Sequence, residues 1–437
     1  MAKGFLQRKA AWEILLKVSS GMYSDMALEK VLLNYKFNQL DIAFITEISF
    51  GCIRYRKYLD LWIDHTSKFP HNKQPPKLRW LLHIGLYQLL KMDKIPYSAA
   101  ISTTVEVAKI TDLSGLSGVI NGILRNASQK FKEKDFPIIP NNKVDRISYI
   151  ESLPKWLVKE IIDWFGFEKA SNIAASFNKR PTIDLRVNSL QTNVDEIIKL
   201  FKNKDIQVSK IKDLINGIEL EKKSRAIRNL PGYEEGKWVI QDRSSQWVST
   251  LLNPKKGDKI LDACAAPGSK TTHLAEMIYD KGEIWAFDRS EFRLKILKEN
   301  LKRLKIKCVQ VHKGDSINIT DLKPDLRFYF DKILIDAPCS GIGTFARNPD
   351  ARWSLNKNKI DQLISLQEKL LHCIFPLLKR TGTLVYSTCT ICPRENNLLI
   401  KNFLKNNNHI NLVCEKQILP SCTNSGDGFY AAVLNYI

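Results

Sequence analysis

Between Lys259 and Thr272 the chain reads Lys-Ile-Leu-Asp-Ala-Cys-Ala-Ala-Pro-Gly-Ser-Lys-Thr-Thr. Ile260 and Leu261 carry a short buried strand to an acid, Asp262. A loop of small residues with one Pro and one Gly follows, and Thr271–Ile278 then reads as a helix with Leu274, Ala275 and Ile278 inside. Strand, tight loop and helix make the opening unit of a doubly wound sheet, whose ligand lies beyond the carboxyl end of the strand. Small side chains let the backbone approach that ligand closely, and the free N–H groups of the helix N-terminus suit a carboxylate. Glu283–Asp288 reads as a second strand, ending in a carboxylate 26 residues after Asp262. An acid in that place commonly accepts hydrogen bonds from ribose hydroxyls. The pattern is that of a nucleoside-cofactor site.

Which nucleoside follows from what is missing. A dinucleotide site needs Gly-x-Gly-x-x-Gly, and only Gly268 is present; a P-loop needs Gly-Lys-Ser/Thr, and Ser269 separates Gly268 from Lys270. A nucleoside ligand without phosphates, S-adenosylmethionine, fits better than either. The plain alternative for this stretch alone is a buried strand with no ligand.

A chain of 437 residues predicts two or three domains. Lys and Arg number 67 against 46 Asp and Glu, a formal charge of +21, which points to a polyanionic partner such as nucleic acid. The competing explanation is a Lys-rich surface from biased codon usage. Residues 1–150 hold 22 basic and 13 acidic side chains, so the charge is spread along the chain and not confined to a tail. Nine cysteines without obvious pairing suggest a reducing compartment, and no apolar run approaches a membrane span. The expected location is cytoplasmic, with no membrane partner.

Residues 1–135 read as all helix. Leu6, Ala10, Ile14 and Val18 form one apolar stripe, and Ile42 to about Ile63 reads as one longer helix. Further helices are expected at Leu78–Leu90, Ser98–Ile110 and Leu116–Ala127. Basic clusters occur at Arg54, Arg56, Lys57 and at Arg125, Lys130, Lys132, Lys134, each either a solvated face or an RNA contact. Phe136–Asn142 is the expected linker. Two helices, then strands Ile183–Asn188, Ile206–Ile211 and Gly217–Leu220 around helix Val194–Phe201, form a small α+β unit. Asp242 is placed to cap a helix from Arg243.

Two more strand ends should open into the same crevice. Phe330–Asp336 runs into Ala337-Pro-Cys-Ser-Gly341, and Gly382–Thr388 runs into Cys389; between the cofactor strands and these, Val309–Asp315 offers Asp315 to an adenine amine. A core Cys is usually a small hydrophobe, but Cys339 and Cys389 sit where strands give way to ligand-binding loops. Cys389-Thr-Ile-Cys392 is also a C-x-x-C. A structural zinc would want a second close ligand pair, and a redox dithiol would open a helix after the first strand of its own domain, so both readings are minor. No metal is expected.

Asp262–Gly268, Asp336-Ala-Pro-Cys-Ser-Gly341 and Ser387-Thr-Cys-Thr390 together resemble the motifs of the RNA cytosine-C5 methyltransferases. Leu185-Arg-Val-Asn188, Gln241-Asp242 and Asn348-Pro-Asp-Ala-Arg-Trp353 resemble further blocks of that family, and the helical N-terminus resembles the RNA-binding NusB antitermination protein. The pairing resembles the bacterial small-subunit methyltransferases of the Sun/Fmu type, which modify cytosine 967 of 16S rRNA. The resemblance implies a multidomain chain: a NusB-like all-α domain (1–140), a helical linker with a small α+β RNA-contacting domain (141–236) and a Rossmann-like α/β methyltransferase domain (237–437). It implies catalytic Cys389, Cys339 and Asp336, with S-adenosylmethionine held by Cys264, Ala265, Ala266, Pro267, Gly268, Ser269, Lys270, Asp288, Asp315 and Asp336. Ser269 departs from the family, which usually has Gly there. The implied partner is precursor 16S rRNA, bound by a monomer. Methylation of a tRNA cytosine, and an RNA-binding or antitermination protein without activity, remain as alternatives.

Overall fold

The 3.6-residue periodicity of the first 132 residues is realised as helices at Phe5–Ser19, Ser24–Leu32, Gln39–Arg54, Arg56–Thr66, Pro76–Lys91, Tyr97–Lys109 and Ser117–Lys132. The structure is a computed structural model and describes residues 4–221, 227–319, 324–422 and 426–437. The expected single helix from Ile42 to Ile63 is two. The break falls at Tyr55 (φ −100°, ψ 17°), and it turns Leu59, Trp62 and Ile63 of the second helix onto the core already reached by Ile45 and Ile48. A further helix, Lys143–Ile150, follows the expected linker; Asn142 caps it by accepting from the Asp145 N–H. Helices Lys155–Phe165 and Phe167–Ser176 meet at Gly166, whose φ of 77° favours glycine.

These helices and the short segment Phe345–Ser354 form one unit, Met1–Lys179 plus Phe345–Ser354; Arg180–Thr344 plus Leu355–Ile437 form the other. The short segment carries the Asn348–Trp353 block. Arg352 is fully buried. Its guanidinium donates to the carbonyls of Arg54 (3.3 Å), Glu151 (3.4 Å), Ser152 (3.4 Å), Phe177 (3.0 Å) and Phe345 (3.1 Å) and to Asn178 Oδ1 (2.9 Å). Burial, then the nearby Arg54 charge, lowers its pKa to about 9. Asp350 accepts from Ser24 N (3.2 Å) and Oγ (2.7 Å), and Trp353 Nε1 donates to Ile53 O (2.7 Å). In this unit the block ties helix ends together.

The second unit opens with an antiparallel sheet of β1 (Ile183–Val187), β2 (Val208–Lys210), β3 (Gly217–Leu220) and β4 (Trp238–Ile240), in the order β2-β3-β1-β4. Helix Val194–Lys202 covers one face through Ile197 and Phe201, which join Leu185, Val187 and Trp238 in a small core. Asp242 caps helix Arg243–Leu251 through the Ser244 N–H at 2.8 Å.

The large sheet holds β5 (Lys259–Asp262), β6 (Glu283–Asp288), β7 (Val309–Lys313), β8 (Phe330–Asp336), β9 (Leu378–Thr388), β10 (Ile410–Ile418) and β11 (Phe429–Tyr436). Its order is β10-β11-β9-β8-β5-β6-β7, with β5 to β9 mutually parallel and β11 antiparallel to both its neighbours, β9 and β10. The chain winds outward from β5 through β6 to β7, then returns to the other side of β5 as β8. The crevice at that reversal, beyond the carboxyl ends of the strands, is where doubly wound sheets bind ligands. Register brings the ends together: Asp262 pairs with Ala286 and Leu334, and Asp336 pairs with Ser387. Among the described residues no helix is long and apolar enough to cross a membrane.

Candidate active site

The loop after β5 has a shape only its sequence permits. Gly268 has φ 103°, and a Cβ there would lie 2.2 Å from Leu297 Cδ1. The loop then enters helix Ser269–Met277. Ala265 N donates to Phe287 O (2.8 Å) and Ala266 N to Asp288 Oδ2 (3.2 Å), while Asp288 Oδ1 accepts from Ser290 N (2.8 Å). The carboxylate at the end of β6 is therefore fixed against the loop. Asp262 is buried beneath it, with Oδ2 accepting from Thr271 Oγ1 (2.7 Å) and Oδ1 without a partner. Burial first, and the Asp336 charge next among the raising causes, lift its pKa to about 7 against the opposing Thr271 hydrogen bond.

The two sequence blocks upstream act on this loop. Arg186, fully buried, donates to Ser269 O (2.7 Å), Thr272 Oγ1 (2.9 Å), both carboxylate oxygens of Glu276 (3.1 and 2.8 Å) and Gln241 Oε1. Asn188 donates to Gly236 O (2.9 Å) and Leu304 O (3.2 Å). Ser269 opens the helix, and its carbonyl is one of the Arg186 acceptors.

A cavity of about 310 Å³ lies at the strand ends. Of the residues named from sequence, Cys264, Asp288, Asp315, Asp336, Cys339 and Cys389 line it; Ala265 to Lys270 form the loop behind and do not. Lys270 reaches the site through Asp336, its Nζ 2.7 Å from Oδ2, while Ser387 Oγ donates to Oδ1 at 2.8 Å. Residues that sequence reading passed over also line the cavity: Leu366 and Leu370, one turn apart on helix Lys357–Ile374, and Arg289 and Arg293 after β6. Arg293 lies 3.4 Å from Asp288, and Arg289 lies 3.7 Å from Asp315. A cation directly following the β6 carboxylate was the available signal for Arg289; Leu366 and Leu370 gave none distinct from an ordinary apolar stripe.

Fifty residues apart in sequence, the Sγ atoms of Cys339 and Cys389 lie 3.4 Å from each other. The Cys339 thiol is pushed well above its ordinary pKa by the hydrogen bond to Cys389, then by burial and by the charges of Cys389 and Glu395. Cys392, the other member of the C-x-x-C, is buried, and burial followed by the Glu395 charge raises its pKa to about 12. Among the described residues no group of three or more His, Cys, Asp or Glu is placed to hold a metal ion.

Comparison with known proteins places this geometry. The family described as 16S rRNA methyltransferase RsmB/F matches residues 249–435, the NusB family matches 6–129, and the ferredoxin-like domain of RsmF/B-like methyltransferases matches 153–226. The probable ribosomal RNA small subunit methyltransferase B of Synechocystis sp. is 39% identical, the alignment covering 91% of this chain and 89% of that protein. The chain belongs to the RsmB/F family. The ribosomal RNA small subunit methyltransferase B of Proteus mirabilis is 36% identical over 90% of each chain. The crystal structure of PH0851 aligns with 100% of this chain and 99% of its own, with a TM-score of 0.84 and 25% identity. The helical N-terminal fold is thus NusB-like and the β1–β4 sheet ferredoxin-like.

The methyl donor that an RsmB/F methyltransferase implies, S-adenosylmethionine, fits the donor set. Carboxylates close to the ends of three strands suit a diol, an amine and an ammonium group. Leu366, Leu370, Ala337 and Pro338 add apolar walls, and the volume is at the scale of small-ligand sites.

Proposed function

We propose that this chain transfers a methyl group from S-adenosylmethionine to C5 of a cytosine in 16S rRNA, at the position of cytosine 967, through a covalent bond between Cys389 and C6. The observation that carries the reading is the pair of thiols in contact beside Asp336, in the same cavity as the β6 carboxylate Asp288.

C5 of cytosine is a weak nucleophile. Addition of the Cys389 thiolate at C6 breaks the ring's aromaticity and gives C5 enamine character. Asp336, held by Lys270 and Ser387, keeps acceptor capacity on its two oxygens for the exocyclic amine of the base and for the N3–H that forms when N3 takes up a proton as the thiolate adds. When bound, the cofactor supplies an electrophilic methyl group. Afterwards a solvent water takes the C5 hydrogen as a proton, its bonding electrons close C5=C6, and the C6–S bond breaks. The leaving group is then the Cys389 thiolate, and the Cys339 S–H at 3.4 Å is the donor that stabilises it. Reaching both faces of the base requires it to be unstacked. The basic surface supplies phosphate contacts whose strength falls with salt.

The test separates the thiols. Incubated with 16S rRNA transcript and S-adenosylmethionine, Cys339→Ala should accumulate a denaturant-resistant protein–RNA band; Cys389→Ala and the double variant should give none. A band from Cys389→Ala exchanges the roles, and no band from either single variant refutes covalent catalysis. Bisulfite sequencing of the rRNA locates the methylated base.

A further inference from the structure

Behind the two thiols lies a buried carboxylate to which the chemistry above gives no part. Glu395 is fully buried in the turn Pro393–Glu395. Its Oε1 accepts from Ser340 N (2.8 Å) and Gln367 Nε2 (3.0 Å), and its Oε2 from Ser340 Oγ. Ser340 Oγ also lies 2.7 Å from Thr390 Oγ1. Ser340 directly follows Cys339, and Thr390 directly follows Cys389. Gln367 Nε2 binds in addition the carbonyl of Pro338 (2.8 Å), the residue before Cys339. One carboxylate therefore gathers both thiol-bearing loops; burial raises its pKa, and the N–H and O–H donors of Ser340 and Gln367 oppose that rise by favouring the charged form.

The arrangement is lopsided. Glu395 binds the Cys339 loop right beside its thiol, through the main-chain N–H and hydroxyl of Ser340; in the Cys389 loop its direct partner is the Cys392 thiol, three residues further on, and it meets Thr390 only through the Ser340 hydroxyl. Two like thiols in contact can share one proton, and the chemistry needs it on one particular sulfur: a thiolate to add to the base and an S–H beside it. A carboxylate bonded to the residue directly beside one of the two thiols breaks the tie. We propose that Glu395 is a positioning residue that holds the two thiols in contact and keeps their shared proton on Cys339, leaving Cys389 as the sulfur that adds to C6. This rests on the thiol chemistry proposed above. The charge of Glu395 is among the causes that raise the Cys339 pKa, after the Cys389 hydrogen bond and burial. The other titratable groups around the pair do not compete. Tyr386 and Cys392 are both pushed up by burial and stay neutral, and the charge of Asp336 is matched by Lys270.

The test needs neither RNA nor cofactor. The full chain is treated with iodoacetamide from pH 6.5 to 9.5, and alkylation of each cysteine is followed by peptide mass spectrometry. Glu395→Gln keeps the shape and the Oε1 acceptor but removes the charge. Cys339 should then alkylate several-fold faster at pH 8, with its midpoint moved down. Each unit of that fall increases the rate about threefold, because a tenfold gain in thiolate is partly offset by lower intrinsic nucleophilicity. If the Cys339 to Cys389 rate ratio and the midpoint match wild type in a variant with a wild-type circular dichroism spectrum, the inference is overturned. Should Glu395→Gln not fold, Glu395→Asp draws the charge back by one carbon and must move the ratio in the same direction; an unchanged ratio there also overturns it. Methylation of a 16S rRNA transcript by wild type is scored separately. Its absence removes the functional reading, while the thiol ratio decides the role of Glu395.

Discussion

Asp262→Asn should gain stability relative to the wild-type protein as the pH rises. Asp262 is 1% exposed, and one of its carboxylate oxygens has no partner. Its pKa in the folded chain is about 7, raised by burial, against about 3.9 for an unperturbed Asp. Between those values the folded state holds a proton that the unfolded state has lost. The resulting stabilisation is complete below the unfolded pKa and is lost as pH rises toward 7, at about 1.4 kcal/mol per unit. Over the whole window the loss is roughly 4 kcal/mol, and from pH 5 to pH 8 roughly 3 kcal/mol remains to be lost. Asn has no proton to release, so its stability escapes this slope. Its amide adds a constant term, which leaves the slope unaffected. For a unit of this size 1 kcal/mol moves Tm by roughly 2–4 °C. The Tm difference, variant minus wild type, should therefore widen by roughly 6–12 °C between pH 5 and pH 8 in scanning calorimetry without cofactor. Parallel Tm curves across that range would refute the assignment of a buried, neutral acid at the end of β5.

Asp288→Ala should weaken S-adenosylmethionine binding by about 10- to 100-fold, the equivalent of losing one charged hydrogen-bonding group; calorimetric titration giving an unchanged Kd would remove Asp288 from the site. Arg352→Met leaves several buried carbonyls without their donor and should cost at least roughly 3 kcal/mol, with Arg352→Lys little better because an ammonium cannot span the same acceptors. Urea denaturation followed by circular dichroism checks this, and wild-type midpoints for both variants would show that those hydrogen bonds contribute nothing.

The parts of the site legible in sequence were those written in consecutive residues. An apolar run ending in an acid marks a strand end, so Asp262, Asp288 and Asp336 could be placed before any fold was known. Gly268 stood out as the one glycine in a loop of small residues, and its φ of 103° gives the reason. Relations between distant segments were not legible. That Cys339 touches Cys389 depends on the β8–β9 register, which pairs Asp336 with Ser387. Leu366 and Leu370 repeat at the helical spacing of any buried stripe, and only the packing of Lys357–Ile374 makes them a cavity wall. The break at Tyr55 left no Gly or Pro as a sign, since the turn arises from packing of Leu59, Trp62 and Ile63 onto the core. Strand β10 was missed because it is an edge strand with many exposed polar residues, and helix Lys143–Ile150 because only eight residues carry it. Its Asn142 cap, three residues before Asp145, was the overlooked sign.

The segment Phe345–Ser354 has a consequence for biogenesis. As the chain emerges from the ribosome, the helical unit is complete through Lys179 but still lacks ten residues that belong to it. The carbonyls of Arg54, Glu151, Ser152 and Phe177 must wait for Arg352, which is made about 170 residues later. At an elongation rate of about 5–20 residues per second that is a delay of roughly 10–35 s. The N-terminal unit reaches its final form only once the thiol loop of Cys339 has also been synthesised, so a truncated product ending before residue 345 carries neither a finished helical unit nor Cys389.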